Sequence, residues 1–310
     1  STIFSDALLP HITTSDDMDQ VSSKGWALGY IGGGLLLLIN LAWILKPAWF
    51  GIPNTEMASL LSFLSVAIWW AVFSIPIFRR VPEPPTVLEQ GESQSVLRGT
   101  FQRLGNTFRD ISKYRELLKF LVAFWLYNDG IGTIITMAAI YGAELGIGQT
   151  TLIGVILMVQ FVAAPFSILF GWMSKRIGNK STILIGLGIY TVVAAYGYFV
   201  TNALEFWILG FVVAMAQGGS QALSRSLYAS MSPKTKSAEF FGFYDVSSKF
   251  AGIIGPALFG FIGQVAGSSR YAILALIPLF VIGGLLLTRV DVQKGIAVAR
   301  AEDAALAAKA

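Results

Sequence analysis

The chain of 310 residues contains no cysteine. Disulfides, thiolate nucleophiles and cysteine-based metal sites are therefore excluded, and the redox compartment is left undecided. Histidine is almost absent too: His11 is the only one, so no site that needs two imidazoles can form. Charge is scarce. Asp, Glu, Lys and Arg make up 13% of the residues, about half the share of an ordinary soluble domain. Enzyme signatures are also missing. No G-x-S-x-G, H-E-x-x-H or G-x-x-x-x-G-K-S/T occurs, so hydrolase, zinc-protease and ATPase chemistry lack their residues. The chain reads as no enzyme, with no cofactor and no metal site.

What is present is apolar. Hydrophobic residues make up 55% of the chain and mean hydropathy is +0.66. Apolar runs of roughly 20 residues recur, each long enough to cross a hydrocarbon core of about 30 Å. A β-barrel would alternate over about 10 residues instead. The expected fold class is an all-α membrane protein with about eight transmembrane helices, and its first partner is the lipid bilayer. The net charge of +4 is what basic loops on one side of a membrane produce, so no nucleic-acid partner is expected.

In chain order, STIFSDALLPHI lacks the basic leader of a signal peptide and reads as the tail of a membrane helix. A polar loop is expected over 13–25, then spans at 26–46 and 57–78. Residues 81–95, rich in Pro, Glu, Gln and Ser, read as a solvated linker. Phe101, Leu104, Phe108 and Ile111 then form one helical stripe, with Arg103, Arg109, Lys113 and Arg115 mostly off it. Six further spans are expected at 118–143, 149–173, 181–200, 204–230, 238–266 and 271–289. The division is 1–79, the end of one bundle; 80–117, a linker with an amphipathic helix; 118–290, a six-helix bundle; and 291–310, an Ala-rich tail expected to fray. Lys24, the Arg79–Lys119 region, Lys175, Arg176, Lys180, Arg225, Lys234, Lys236, Arg289 and Lys294 all fall on one side. That asymmetry predicts a cytoplasmic linker and C-terminus.

Polar residues inside the spans are the informative ones, because lipid does not tolerate them. Gln217, Ser220, Gln221 and Ser224 fall at i, i+3, i+4 and i+7, a stripe extended by Tyr228. Tyr244, Asp245, Ser248, Lys249 and Gly252 form a second stripe. Two such stripes fit helices facing one aqueous pathway, or equally a bundle fastened by interhelical hydrogen bonds. Bare at mid-membrane, Asp245 or Lys249 would each cost about 2.5–3.5 kcal/mol, and four residues apart they can neutralise one another. Arg225 is a third charge, near enough to the end of its span for snorkelling to explain it. Asp129 lies near the midplane, and its flanking Asn128 and Gly130 predict an interrupted helix that exposes the carboxylate. A capped kink is the competing reading. Gly252, Gly255 and Pro256 are hinge candidates, and Gly255-Pro256 is expected to break its helix. Asn128, Gln217, Ser220, Gln221 and Tyr244 are the candidate substrate contacts. Asp129, Asp245, Lys249 and Arg225 are the candidate coupling charges.

The segment GWMSKRIGNK resembles the loop motif of the major facilitator superfamily, with Gly171, Arg176, Gly178 and Lys180 matching. Lys175 stands where the motif has an acidic residue, which removes that residue from any gating salt bridge. GWALGYIGGGLLLLIN, YNDG at Tyr127–Gly130, QALSRSLYASMSP and EFFGFYDVSSKFAGIIGP are similar to the branch containing the fungal vacuolar amino-acid effluxer of autophagy. The resemblance covers nearly the whole chain. It implies a major facilitator-type bundle of which the spans here are helices five to twelve, with earlier helices lacking. It further implies a secondary transporter working by alternating access on a small polar solute, amino acids being the implied substrate. Export, a proton as coupling ion and a bacterial cytoplasmic membrane are the accompanying expectations. The alternative is a non-transporting scaffold or receptor that docks partners through residues 96–119.

Overall fold

The computed structural model describes residues 2–82 and 113–308. All regular elements among them are helical. They are α1 (Thr2–Ala7), α2 (Leu9–Ile12), α3 (Met18–Leu45), α4 (Thr55–Arg80), α5 (Arg115–Glu144) and α6 (Gln149–Ile177). Then follow α7 (Asn179–Gly197), α8 (Ala203–Ser230), α9 (Ser237–Ala266), α10 (Ser269–Leu274), α11 (Ile277–Thr288) and α12 (Val292–Ala307). Short 3₁₀ turns cover Pro47–Phe50 and Lys234–Lys236. By length and composition, eight stretches among the described residues can cross a membrane. The chain is an all-α, multi-pass membrane protein, as its composition predicts. Asn54 and Asn202 begin α4 and α8 by accepting from Met57 N at 2.8 Å and Glu205 N at 3.0 Å.

Four expectations need correction. The loop expected over 13–25 is helical from Met18 onward. Its polar side chains mark a buried contact rather than solvent, since Ser22 and Ser23 are fully enclosed. The last span stands where expected, at Ser269–Thr288, and is built from two helices, α10 and α11, because Pro278 carries no N–H for the Leu274 carbonyl and its ring crowds that carbonyl. The helix expected to be interrupted at Asn128–Gly130 is continuous, and so is α9 through Gly255-Pro256. The tail expected to fray is α12, and it is docked. Asp291 N donates to Glu116 Oε2 at 2.8 Å, and Asp303 binds the turn between α8 and α9. The amphipathic stripe from Phe101 to Ile111, and with it most of the linker, lies outside the described residues.

Two packing centres hold the helices. Phe120, Phe124 and Tyr127 of α5 meet Tyr228 of α8 and Phe241 and Tyr244 of α9, with ring centroids 4.5–6.2 Å apart. Buried aromatics of this size dominate the energetics of a core. The second centre uses small residues: Ala27 and Tyr30 of α3, Ala163 and Ala164 of α6, and Ala214 of α8. Small residues let helix backbones approach closely where lipid offers no hydrophobic drive. It joins the α1–α4 portion to the larger α5–α12 portion, and α1 reaches across onto α9.

Candidate transport site

The polar groups sort into an ionic interface, a tyrosine–amide contact and a buried carboxylate. The ionic interface runs along the joint between α1–α3 and α6–α9. Arg225 of α8 pairs with Asp6 of α1 at 2.8 Å, and both are largely enclosed, with 17% and 20% of their side chains exposed. Its Nε donates to Ser22 Oγ at 3.0 Å and its other nitrogen to Ser22 O at 3.1 Å. Ser22 Oγ passes its own proton to Ala222 O at 2.7 Å, and Trp26 lies 5.9 Å from the guanidinium. Arg225 is thus committed across the joint and does not merely reach for the membrane surface.

The loop motif contributes to the same joint. Gly171 lies against Ser23, where a Cβ would come within 2.7 Å, and Ser167 Oγ donates to Ser23 O at 2.9 Å. Lys175, standing in the acidic position, takes its acid from the other side: Asp17 Oδ1 is 2.7 Å from its ammonium. The loop therefore carries a cross-joint ion pair after all, with its charges reversed. Asn179 Nδ2 and Ser226 Oγ both donate to Asp19 Oδ1. The other motif residues act within the α5–α12 portion. Arg176 stacks on Trp172 at 3.9 Å. Gly178 turns the chain at φ +86°, a region that only glycine enters freely. Lys180 Nζ donates to Thr288 O and Val290 O, both at 2.8 Å, and so caps the C-terminal carbonyls of α11.

Toward the middle of the bundle, Gln217 is buried, and Tyr30 of α3 packs beside it across the joint, its ring against Gly218. Ser220 is fully buried against Gly186, its hydroxyl without a partner among the described residues. Gln221 and Asn128 are half-buried. Ser224 and Tyr228 face inward into the fold: Tyr127 donates to Ser224 Oγ at 2.7 Å, and Tyr228 donates to Phe240 O at 2.6 Å. Tyr244 stacks on Phe124 at 4.5 Å and sits inside the aromatic core. Asp245 and Lys249 form an ion pair at 3.4 Å, with Asp245 20% and Lys249 70% exposed. Gly252 is exposed on the same side of α9, with open space where a Cβ would be.

Asp129 is the buried carboxylate, at 2% exposure. Its Oδ2 accepts from Gly255 N of α9 at 2.6 Å, and its carbonyl accepts from Thr133 Oγ1 at 2.7 Å. Oδ1 has no partner among the described residues. A Cβ at Gly255 would collide with Thr133 Oγ1 and come within 3.0 Å of Asp129 O and Oδ1. Pro256, next in sequence, cannot donate to the Gly252 carbonyl. The carboxylate, the close approach and the missing helical bond therefore meet at one point. Asp6, Asp17, Asp19, Ser22 and Tyr30 were not foreseen. Asp6 alone carried a signal, as a carboxylate within an apolar segment.

This helical arrangement is that of a major facilitator-type transporter. A variant of the Escherichia coli fucose:proton symporter FucP has the same fold, with a TM-score of 0.66 at 12% identity over 93% of this chain and 73% of that one. The chain belongs to the family described as vacuole effluxer Atg22 like, whose family model matches residues 8–300. It is 43% identical over 286 residues to an uncharacterised MFS-type transporter, YxiO, of Bacillus subtilis, covering 92% of this chain and 66% of that protein. Autophagy-related protein 22 of Yarrowia lipolytica is 25% identical over 306 residues, covering 89% and 51%. The chain thus spans about half to two thirds of the length of these relatives. Family and fold are those of transporters and not of enzymes.

Proposed function

We propose that the chain forms part of a secondary transporter that moves a small polar solute by alternating access. The observation that carries this is the joint between α1–α3 and α6–α9. It is closed by discrete polar contacts, Asp6–Arg225, Asp17–Lys175 and Asp19–Asn179, which can part and re-form as units. Beside the small-residue centre, these pairs contribute little net stability, so parting them is inexpensive. Gln217 with Tyr30, Ser220, Gln221 and Asn128 are the groups offered to substrate in this reading, with the exposed Lys249 ammonium as a charge for an anionic group. Tyr244 serves as a wall of the aromatic core.

Asp129 is the coupling group in this reading, with the proton as the ion. A buried carboxylate without a cation beside it among the described residues gains from protonation. Its link to Gly255 of α9, beside Pro256, gives protonation a helix to act on. Amino acids, exported from the cell, are the proposed substrates; the family description as an effluxer and the resemblance support this. The basic end, where Lys175, Arg225 and the turn at Lys234–Lys236 lie, is proposed to be cytoplasmic in a bacterial plasma membrane.

The test is amino-acid flux in vesicles carrying the full-length protein, with and without a proton gradient, beside Asp129→Asn. Asn keeps an oxygen for the Gly255 N–H and loses the titration. Gradient-driven flux that Asp129→Asn abolishes, while exchange flux survives, is the expected outcome. Flux indifferent to gradient and variant would remove Asp129 from coupling, and absence of flux for every amino acid would remove the substrate class.

A further inference from the structure

The α12 helix contacts a turn whose following residue α2 also binds. Asp303 binds that turn with both carboxylate oxygens. Oδ2 accepts from Lys234 N at 3.0 Å, and Oδ1 accepts from Thr235 N at 3.1 Å and from Thr235 Oγ1 at 2.8 Å. The turn Lys234–Lys236 leads directly into α9, and its own first amides have no helical carbonyl before them to bond. Asp303 therefore caps the first amides of this 3₁₀ turn from another helix, just ahead of α9. Two contacts support the docking. Lys236 Nζ lies 3.3 Å from Glu302 Oε1, and Gly295 is pressed against Met231, where a Cβ would come within 2.7 Å of its sulfur.

The residue that follows this turn, Ser237, is held by His11 of α2. The His11 Nε2 and Ser237 Oγ are 3.0 Å apart, and the ring lies near the backbone of Lys234. His11 thus reads the position of Ser237, the residue that follows the turn Asp303 holds. The turn and the start of α9 are thus held by a carboxylate of α12 and an imidazole of α2.

We propose that Asp303 is a positioning residue for closure of the basic end: it holds the Lys234–Ser237 turn where His11 can bind it. The α12 helix is then a working part of the gate. Without Asp303 the turn loses three hydrogen bonds to a charged group, and Ser237 is no longer presented to α2. Closure then rests on the remaining contacts of the joint, Asp6–Arg225, Asp17–Lys175 and Asp19–Asn179 among them. The inference rests on the alternating-access reading, but its test reads conformation and needs no substrate.

These 310 residues contribute no cysteine, and any cysteine elsewhere in the full-length protein is first replaced by serine. Ser23 of α3 is buried against Gly171 of α6, and its hydroxyl has no partner among the described residues, so Ser23→Cys is a mild probe of the closed joint. The experiment is the rate at which a water-soluble maleimide labels Ser23→Cys in the full-length protein. Asp303→Ala, His11→Ala and the double variant are compared in that background. Asp303→Ala is expected to raise the rate at least about tenfold, as losing hydrogen bonds to a charged group implies. His11→Ala is expected to do the same, and the double variant to label no faster than either single one. Unchanged labelling in Asp303→Ala would overturn the proposal, and so would two effects that simply multiply, because Asp303 would then act independently of His11. If Asp303→Ala fails to fold, Thr235→Val removes one of the three bonds at nearly constant shape. A smaller rise in labelling supports the proposal and none overturns it. Wild-type protein that carries no solute yet shows this labelling pattern would count against the transport reading only.

Discussion

Arg225 and Asp6 stand 219 residues apart in sequence and 2.8 Å apart in space, and their pairing joins the α1–α4 portion to α8. Ser22 completes the site by accepting from the guanidinium with both its hydroxyl and its carbonyl. Asp6→Asn would leave a largely enclosed guanidinium without its counter-charge. The expected cost is roughly 1–3 kcal/mol, read as a lower thermal midpoint in detergent, with faster labelling of Ser23→Cys. Exchanging the two residues, Asp6→Arg with Arg225→Asp, should recover part of the loss. An Asp6→Asn variant as stable and as closed as the wild type would refute this role.

Gly255 is where α9 and α5 come closest beside Asp129. Gly255→Ala places a methyl group on Thr133 Oγ1. Overpacking of this kind costs about 1–3 kcal/mol. It should also lengthen the bond from Gly255 N to Asp129, so transport and stability should fall together. Adding Thr133→Ala makes room for the methyl group and should restore stability. If the double variant is no better than the single one, the steric account of Gly255 is wrong.

Asp17 and Lys175 give the basic end its acid sensitivity. The hydrogen bond and charge of the Lys175 ammonium hold the exposed Asp17 carboxyl below its ordinary pKa of 3.8. A carboxyl whose folded pKa is depressed contributes fully above its ordinary value, and loses that contribution only as pH falls through the lowered one. The difference in Ser23→Cys labelling between wild type and Lys175→Met should therefore be constant across neutral pH. It should vanish only in acid below the ordinary carboxylate range. A difference that changes near neutrality would show that another group titrates at this contact.

Tyr127 and Ser224 separate fastening from function within the α8 stripe. Ser224 gives its proton to Ser220 O at 2.7 Å, so the buried Tyr127 hydroxyl is the donor in their 2.7 Å bond. Tyr127→Phe should lower stability by about 1 kcal/mol and leave the concentration dependence of transport unchanged. Gln217→Ala, at the other end of the stripe, should change that dependence. A Tyr127→Phe variant with altered apparent affinity would place Ser224 in the pathway.

Much of the architecture was legible in sequence because membrane helices are set by local composition. A run of about 20 apolar residues spans the bilayer wherever it stands, and the eight spans follow from that constraint. Pairs four residues apart on one helix, such as Asp245 and Lys249, were equally legible, since helical periodicity alone brings them together. Polar composition misled where it stood for burial. Residues 18–25 read as a loop, yet Asp19, Ser22 and Ser23 are polar because α6, α7 and α8 press polar groups against them. The α12 tail misled likewise: its Ala-rich sequence carries no strong apolar face, and Asp303 docks it through backbone amides, which no side-chain pattern records.

The sequence by itself determined that this chain is a helical membrane protein, where its spans lie, and which polar residues lie within them. Only the tertiary structure decided their partners. It turned the Ser224 and Tyr228 end of one polar stripe into interhelical fastening and gave Arg225 a carboxylate from the far end of the chain. It also set the Asp129 carboxylate on the amide of Gly255, 126 residues away. The reason is the range of the forces involved. Hydropathy and helical period act within a few turns, whereas an ion pair or hydrogen bond across a helix joint depends on packing contributed by every helix between.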